Sequence, residues 1–321
     1  AEHRFLSGSG WKRVAELQPG DRLAIARRLP EPAQPDEWQD DRVALLGQLI
    51  GDGSYLVNAP MRYATSSEEN SEMVRTAARN EFGSTITRYA GRRTWHQLMI
   101  TGNGNRWHPE GVNAWLRELG IFGQRSHQKR LPEAAFRLPT RQVAILLRHL
   151  WATDGCISPG SGRHASRIHY STNSPGLAQD VAALLMRMGI VARTAQARKP
   201  GYRTGYMVKV SGAPNQLRFL DVVGAFGPKK AAAQRLVRVL EGVRPNTNVD
   251  TLPNEIFLDV RRRMRQLGVT TRQMAALRGT AYSGPAQFAY SPSRAVVLDY
   301  AERLDDDTKS LLDDTYARLA K

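Results

Sequence analysis

Two aspartates, Asp52 and Asp154, each end an apolar segment and are each followed by glycine. The segments read LLGQLIGDG at 45–53 and LRHLWATDG at 147–155. Helices of this composition bury most of their side chains, and an acid at the last position stays at the exposed end. The glycine is expected to permit a sharp exit into the next strand. The pattern therefore predicts two helices that each present a carboxylate at the carboxyl end.

These two acids could share cations if the helices pack side by side. Small residues let helix backbones approach closely, and Gly47, Gly51 and Ala152 are suitable. Neighbouring carboxylates repel unless a cation lies between them, and Mg²⁺ prefers carboxylate, water and phosphate oxygens. The expected chemistry is metal-assisted hydrolysis of a phosphodiester. Most isolated Asp-Gly pairs are ordinary helix ends, so the case for a site depends on repetition of the surroundings.

The surroundings do repeat between residue 41 and about residue 233. After each acid comes a similar segment, YATSS at 63–67 and YSTNS at 170–174, which leads into a helix. An alternating segment, HQLMITG at 96–102 and YMVKVSG at 206–212, then precedes another helix. Each copy therefore predicts the order helix, two strands, helix, two strands, helix.

The repeat divides the chain into four predicted parts. Residues 1–35 form a short β segment and a Pro-rich linker, 36–140 and 141–245 are the two copies, and 246–321 form a helical module. The candidate helices of the module are 253–267, 270–278, 291–304 and 307–319. The second and third of these weakly match a helix-turn-helix, with a four-helix packing domain as the alternative.

The charge of the chain favours a polyanionic partner. There are 46 Lys and Arg against 30 Asp and Glu, which gives a net charge of +16 and a pI near 10.4. Strand alternation places about half of the cations of the two copies on one sheet face, where they could contact DNA; solvated strands without a partner are the alternative. The candidates are Arg62, Arg88, Arg92, Arg93, His96, Arg163, Arg167, Arg193, Arg198, Lys199, Arg203 and Lys229.

Cysteine usage and hydropathy indicate the compartment. Cys156 is the only cysteine, which excludes an internal disulfide and fits a reducing environment. No segment approaches the ~18 apolar residues of a membrane span, and the first residues lack a secretory pattern. We therefore expect a soluble, cytoplasmic protein with no membrane partner.

Both acidic motifs resemble the helices of LAGLIDADG homing endonucleases, and the repeat resembles the single-chain, pseudo-symmetric members of that family. The resemblance implies an α+β fold of two αββαββα halves whose antiparallel sheets form a saddle for the DNA major groove. It also implies a monomer that makes staggered, site-specific cuts in double-stranded DNA with Mg²⁺, which Mn²⁺ or Ca²⁺ could replace in binding. Asp52, Asp154, Gly51 and Thr153 are the metal ligands it implies. His149, where the family often has glycine, is expected to be a core or interface residue.

The same family uses one lysine per half to polarise solvent near each metal. Lys129, in the segment 126–132, follows the last helix of the first copy and is the first candidate. Lys230 is the candidate in the second copy, with its neighbour Lys229 as the alternative. The other interpretation is that these lysines only contact phosphate.

The start of the chain resembles part of an intein. AEHRFL at 1–6, with ELQPGD at 16–21, is similar to the histidine block of a splicing domain, in which His3 would aid the first acyl shift. Because the sequence begins with Ala1 and ends with Lys321, we expect it to be unable to splice. We expect instead the endonuclease region of a helicase-type intein, whose cutting promotes intein homing.

Two other classes of protein share this resemblance. One is a non-cutting regulator that joins a LAGLIDADG-like region to a helix-turn-helix but lacks the acidic pair. The other is an RNA-binding maturase, which assists intron folding, and the intein-like start argues against it. Cleavage of DNA with Mg²⁺ separates both from a nuclease.

Overall fold

A computed structural model of the protein describes residues 2–7, 10–91, 93–160, 165–243 and 251–304. These residues divide into two compact units, one made of residues up to Ala26 with those from 251 onward, the other running from Arg27 to 243. The candidates Arg92 and Arg163 and the predicted helix 307–319 lie outside the described residues. Within the described part, no helix combines the length and apolarity that a bilayer crossing requires.

The smaller unit begins with an antiparallel hairpin of β1 (Arg4–Ser7) and β2 (Gly10–Arg13). A 3₁₀ helix, Val14–Glu16, follows it. The Pro-rich stretch predicted as a linker is part of the larger unit. There the carboxylate of Glu31 accepts a hydrogen bond from the backbone N–H of Thr140 at 2.6 Å.

The larger unit contains the predicted order of elements twice, so the predicted α+β fold is confirmed. The first half consists of α1 (Asp40–Asp52), β3 (Gly53–Ser54), β4 (Met61–Thr65), α2 (Glu68–Phe82), β5 (Thr85–Ala90), β6 (His96–Thr101) and α3 (Gly111–Glu118). The second consists of α4 (Thr140–Asp154), β7 (Gly155–Ser158), β8 (Arg167–Thr172), α5 (Pro175–Arg187), β9 (Ala192–Ala197), β10 (Gly205–Val210) and α6 (Ala213–Val222). A further helix, α7 (Lys230–Glu241), follows.

The two sheets have the same topology. Their strand orders are β3-β4-β6-β5 and β7-β8-β10-β9, and every neighbouring pair is antiparallel. Equivalent helices also begin in the same way, because the hydroxyls of Ser67 and Ser174 accept hydrogen bonds from the third residue of α2 and of α5, both at 3.1 Å. These N-caps satisfy amides that a helix start leaves unpaired. The repeat in the sequence is therefore a repeat in structure.

The helices α1 and α4 lie side by side within one hydrophobic core that spans both halves. Leu45, Leu49, Leu146 and Leu150 are all fully buried, so these helices are covered on several sides. Their backbones approach closely at Gly47, where an added Cβ would lie 2.9 Å from the carbonyl oxygen of Leu146. Only glycine fits such a contact, which confirms the predicted role of the small residues.

The remaining helices complete the smaller unit. They are α8 (Ile256–Gln266), α9 (Thr271–Leu277) and α10 (Arg294–Leu304), with a 3₁₀ helix, Gly284–Phe288, between the last two. Their shared core is formed by Phe257, Val260, Met264, Met274, Tyr300 and Leu304. The helix-turn-helix interpretation of this unit stays a prediction.

Candidate active site

The acids Asp52 and Asp154 are the last residues of α1 and α4, at the point where the two helices touch. A Cβ on Gly51 would overlap the side chain of Thr153, so the residues that precede the acids are in contact. Burial, and secondly the charge of Asp154, raise the pKa of Asp52 to about 6. Burial likewise raises the pKa of Asp154. The fold thus brings together two carboxylates that are separated by a hundred residues of sequence and disfavours their charged forms.

The glycines after the acids permit the sharp exit into the next strand because they take little space, and not because of an unusual backbone conformation. Gly53 and Gly155 have φ values of −78° and −82°, which any residue adopts. A Cβ at Gly53 would lie 2.8 Å from the Cα of Leu49, and one at Gly155 would lie 2.6 Å from the Cα of Trp151. Each strand leaves its helix too close to the last turn to admit a side chain.

Lys129 holds the end of α1. Its ammonium donates hydrogen bonds to the carbonyl oxygens of Ile50, Gly51 and Gly53 at 2.7, 2.9 and 2.8 Å. The side chain is buried, and this burial lowers the pKa of Lys129 to about 8 against the opposing attraction of both acids. A buried cation therefore stands beside the acidic pair.

In the second half the equivalent position belongs to Lys229. Its ammonium donates to the carbonyl oxygens of Trp151 and Thr153, the latter at 2.8 Å. Burial lowers the pKa of Lys229 as it does that of Lys129. Lys230, the first candidate from the sequence, instead has its ammonium over the ring of Phe226, 5.6 Å from the centroid. Of the two neighbours, only Lys229 contacts the end of α4 in the described contacts.

The donor chemistry of this place fits a hard divalent cation. No group of three or more His, Cys, Asp and Glu side chains that could hold a metal occurs among the residues described. Two carboxylates alone leave most coordination positions to water and substrate, which is how Mg²⁺ is commonly bound. The carbonyls of Gly51 and Thr153, predicted as metal ligands, accept hydrogen bonds from the lysines. A ligand role for either would use the second lone pair of its oxygen.

Behind the acids, a buried polar chain crosses the helix contact. The hydroxyl of Tyr63 donates to Oε1 of Gln48 at 2.6 Å, and Nε2 of Gln48 lies 3.1 Å from Nδ1 of His149. The ring of His149 packs on Phe226 with centroids 4.4 Å apart. His149 is buried in the interface, as predicted from the sequence. Its burial lowers the pKa to about 4, so the imidazole is neutral at pH 7.

This buried histidine predicts acid sensitivity of folding. Above pH 6.5 neither state holds a proton on His149; between about pH 6.5 and 4 only the unfolded chain does. The free energy of unfolding should therefore decrease by up to about 3 kcal/mol as pH falls through that interval. Denaturant titrations of the parent and of His149→Gln, compared at several pH values, check this. Parallel pH dependences of the two proteins would contradict it.

The outer face of the first sheet carries part of the predicted DNA-contacting set. Arg62 on β4 faces Met99 on β6 and is exposed. Arg88 stands one position off that face, opposite the buried Leu98, and its guanidinium pairs with both oxygens of Glu68 at 2.7 and 2.6 Å. His96 is 3% exposed, with Nε2 2.5 Å from the hydroxyl of Ser71. Neither Arg88 nor His96 fits the contact role that the sequence suggested.

The outer face of the second sheet is more basic than expected. Arg167 and Arg193 are exposed there, as strand alternation predicts. Lys209 on β10 faces both Arg193 on β9 and His169 on β8, and sequence reasoning omitted Lys209 and His169. Lys209 lies between the buried Val208 and Val210, and this alternation in the sequence could have identified it as a residue of the outer face. Burial, followed by the charges of Arg167, Lys209 and Lys229, lowers the pKa of His169.

The remaining candidates lie in turns. Arg93 has φ of +62° in the exposed connection between β5 and β6. Arg198 donates to Gln196 at 3.2 Å, and Lys199 lies over the ring of Tyr202. Arg203, in the same connection of β9 to β10 as these two, bonds to His127. The turn cations are accessible, but the strand register does not fix where they point.

A cavity connects Asp154 to the second sheet. Its volume is about 430 Å³, and Lys129 and Asp154 line one side. Ser171 and Met207, from the outer face of β8 and β10, line another. Asp154 is therefore reachable from the basic face of the second sheet.

Comparison with protein families supports one half of the fold directly. Residues 141–224, which include α4 and the second sheet, match the LAGLIDADG-like domain. This segment contains Asp154 at the end of its first helix.

The chain is also similar to segments of two longer bacterial proteins. It is 40% identical over 314 residues to the replicative DNA helicase DnaB of Rhodothermus marinus, which covers 94% of this chain and 33% of the helicase. It is 27% identical over 304 residues to protein RecA of Mycobacterium bovis, which covers 88% of this chain and 37% of RecA. The chain thus spans about a third of the length of these relatives.

Two solved structures align with more than half of this chain. The homing endonuclease I-DmoI, solved with DNA and Mn, aligns with 58% of this chain and 97% of its own at a TM-score of 0.42 and 12% identity. Full-length DUF199/WhiA from Thermatoga maritima aligns with 92% of both chains at a TM-score of 0.43 and 12% identity.

Proposed function

We propose that this chain is a site-specific endonuclease for double-stranded DNA, in which Asp52 and Asp154 hold divalent metal ions, with Mg²⁺ the expected cofactor. The observation that carries the proposal is the paired acidic helix ends, each with a lysine ammonium hydrogen-bonded to the backbone carbonyls beside it. Because one chain supplies both acids and both lysines, it should act as a monomer. A DNA-binding regulator would have no use for two neighbouring acids whose pKa values are raised.

The electrostatics of the acids favour a cation. Burial raises the pKa of Asp52 and of Asp154, so their charged forms gain most from a positive partner. When bound there, the metal would activate water and stabilise the charge that develops on phosphate oxygens. The two carboxylates would hold the metal where the ends of α1 and α4 are in contact.

The lysines contribute positive charge near the acids without forming ion pairs that would block the carboxylates from a metal. Each ammonium is anchored on backbone carbonyls, so Lys129 and Lys229 cannot collapse onto the carboxylates as mobile surface lysines could. We propose Lys229, in place of Lys230, as the second solvent-polarising residue. Fixed charges of this kind lower a barrier because they need no reorganisation during the reaction.

The basic outer faces of the two sheets are the proposed DNA-contacting surface. Its members are Arg62, Arg167, Arg193, His169 and Lys209, with the turn cations Arg93, Arg198, Lys199 and Arg203 at its margins. Antiparallel sheets fit the DNA major groove, and arginine can bind guanine through two hydrogen bonds.

Two substitutions separate this surface from its surroundings. Lys209→Ala should weaken DNA binding and reduce the slope of log K against log salt by about one, because one phosphate contact is lost. Arg88→Ala, at a residue of the first sheet whose guanidinium pairs with Glu68 of α2, should leave the affinity and the slope unchanged. Fluorescence anisotropy with labelled DNA across a salt series measures the affinity and the slope for each variant. Equal effects of the two substitutions would count against the assigned face.

Similarity to parts of two differently named proteins, in each case over about a third of the length, supports an inserted element. A segment that DnaB and RecA share over about a third of their lengths does not follow from helicase or RecA activity alone. We propose that the chain is the endonuclease region of an intein in a replicative helicase, and that cutting an intein-free copy of the host gene promotes homing.

The activity is tested by incubating the chain with a randomised DNA library and Mg²⁺, then sequencing the cut ends. Staggered cuts at one long sequence are expected. Omission of Mg²⁺ is the control and should leave the library intact. Binding without cuts would favour a non-cutting regulator, and binding only to RNA would favour a maturase.

A further inference from the structure

The loop that carries Lys129 belongs to the first half but is fastened to α5 of the second. The guanidinium of Arg130 donates to the carboxylate of Asp180 through Nε and Nη2, both at 2.7 Å. The N–H of Leu131 donates to Oδ2 of Asp180 at 3.0 Å, and the hydroxyl of Ser174 donates to the carbonyl of Lys129 at 2.7 Å. The backbone at and just after Lys129 is therefore fixed by α5.

The carboxylate of Asp180 is buried and fully engaged by the loop that carries Lys129. It is 4% exposed, and its two oxygens accept three N–H groups. A buried carboxylate is stable only with such partners, and a bidentate guanidinium is the most directional of them. The loop and α5 are thus held in one relative position.

The side chain of Lys129 extends away from α5 toward α1 of the first half. Its ammonium ends on the carbonyls of Ile50, Gly51 and Gly53 at the end of α1. The second half thus holds the backbone of Lys129, whereas the ammonium of Lys129 binds the end of α1 in the first half.

The second lysine has a mirrored arrangement. Lys229 contacts the end of α4, while Gly227, two residues earlier, packs on the amino end of α2 in the first half. Gly227 has φ of +59°, and a Cβ there would lie 3.1 Å from Oδ1 of Asn70. The amide of Asn70 also donates to the carbonyl of Ala152 on α4 at 3.3 Å. Each lysine loop therefore contacts a helix of the opposite half. The loop of Lys129 contacts α5 through an ion pair, and the loop of Lys229 contacts α2 through close packing.

We propose that Asp180 is a positioning residue that acts on cleavage through Lys129, by holding the loop so that the ammonium reaches the end of α1. The inference rests on the proposed nuclease function. Because the stem of Lys129 is buried and its ammonium has three short carbonyl contacts, a small shift of the loop removes the charge from the acids. Misplacement of a reacting group by about 1 Å can reduce a rate by about a hundredfold.

The decisive variant is Asp180→Asn in the full chain. Oδ2 of Asp180 accepts two N–H groups, and an amide nitrogen at either position would oppose a donor with a donor. The single-turnover rate on the target selected from the library should fall roughly 10- to 100-fold with Mg²⁺. The dissociation constant for DNA, measured with Ca²⁺, should not change. Asp221→Asn, the same change at an exposed residue of α6, is the control and should cut at the parent rate.

A double-mutant cycle distinguishes positioning from a general structural effect. In a Lys129→Met background, Asp180→Asn should cause no further loss, because both substitutions act through one ammonium. Ser174→Ala removes the hydrogen bond to the carbonyl of Lys129 together with the N-cap of α5. Its effect on cleavage should show the same dependence on Lys129, so it decides the matter if Asp180→Asn does not fold.

Two results would overturn the inference while the nuclease proposal stands. One is a folded Asp180→Asn variant that cuts at the parent rate. The other is an equal loss with and without Lys129. A parent chain that cuts no DNA with Mg²⁺ would remove the nuclease proposal itself, and this inference with it.

Discussion

Replacement of either acid, Asp52→Asn or Asp154→Asn, is expected to abolish double-strand cleavage while leaving DNA binding intact. Each amide keeps the size of the side chain but removes a negative metal ligand, which should reduce the rate by ~10³-fold or more if several kcal/mol of charge stabilisation are lost. Single-turnover assays with Mg²⁺ measure the rate, and anisotropy with Ca²⁺ measures binding. Asp221→Asn is the matched control on an exposed helix position.

The same substitutions should stabilise the metal-free fold. The pKa of Asp52 is raised to about 6, so above that pH the folded chain bears the cost of a buried charge near Asp154. Asp52→Asn removes this cost, and the gain should shrink as pH falls below 6. A variant that lost cleavage and stability together would indicate misfolding in place of a missing ligand.

The second large effect is expected at the lysines. Lys129→Met and Lys229→Met should each reduce cleavage by ~10²- to 10³-fold, because each removes a fixed charge next to the acids. Lys230→Met, the adjacent residue over the ring of Phe226, is the internal control and should change the rate little. Single-turnover rates on one target, with binding measured in parallel, compare the three.

These lysine variants also decide an ambiguity that the sequence left open. If Lys230→Met has the larger effect, the assignment of the second lysine to Lys229 is wrong. If all three variants lose binding in proportion to rate, the lysines act only as phosphate contacts.

The sequence was sufficient for the fold because local periodicity and repetition agree. Asp52 and Asp154 end their helices where the apolar runs end. The predicted strand 96–102 contains β6, and the predicted strand 206–212 overlaps β10. Helix ends and strands are set by residues close in sequence, so a pattern in one copy could be checked against the other.

Facing and burial were harder to predict because they depend on strand register. Arg88 and Lys209 are both strand cations, yet one pairs with Glu68 behind the sheet and the other stands on the outer face. His96 is buried by its contact with Ser71, a residue far from it in sequence. A shift of one residue exchanges the two faces, and composition does not determine that register.

The lysine loops could be located by sequence but not assigned. Lys229 and Lys230 are adjacent and chemically identical, and only the turn at Gly227 decides which ammonium reaches α4. The role of Asp180 had no signal in the sequence, because an acid in an amphipathic helix is ordinarily a surface residue.

The central claim is that Asp52 and Asp154 together hold metal ions against DNA. The most direct measurement is the anomalous diffraction of Mn²⁺ in crystals of the chain with its DNA target. We predict peaks within about 2.1 Å of carboxylate oxygens of both Asp52 and Asp154, the distance typical of Mg²⁺. Peaks only elsewhere, or none at saturating Mn²⁺ in a complex with bound DNA, would contradict the account.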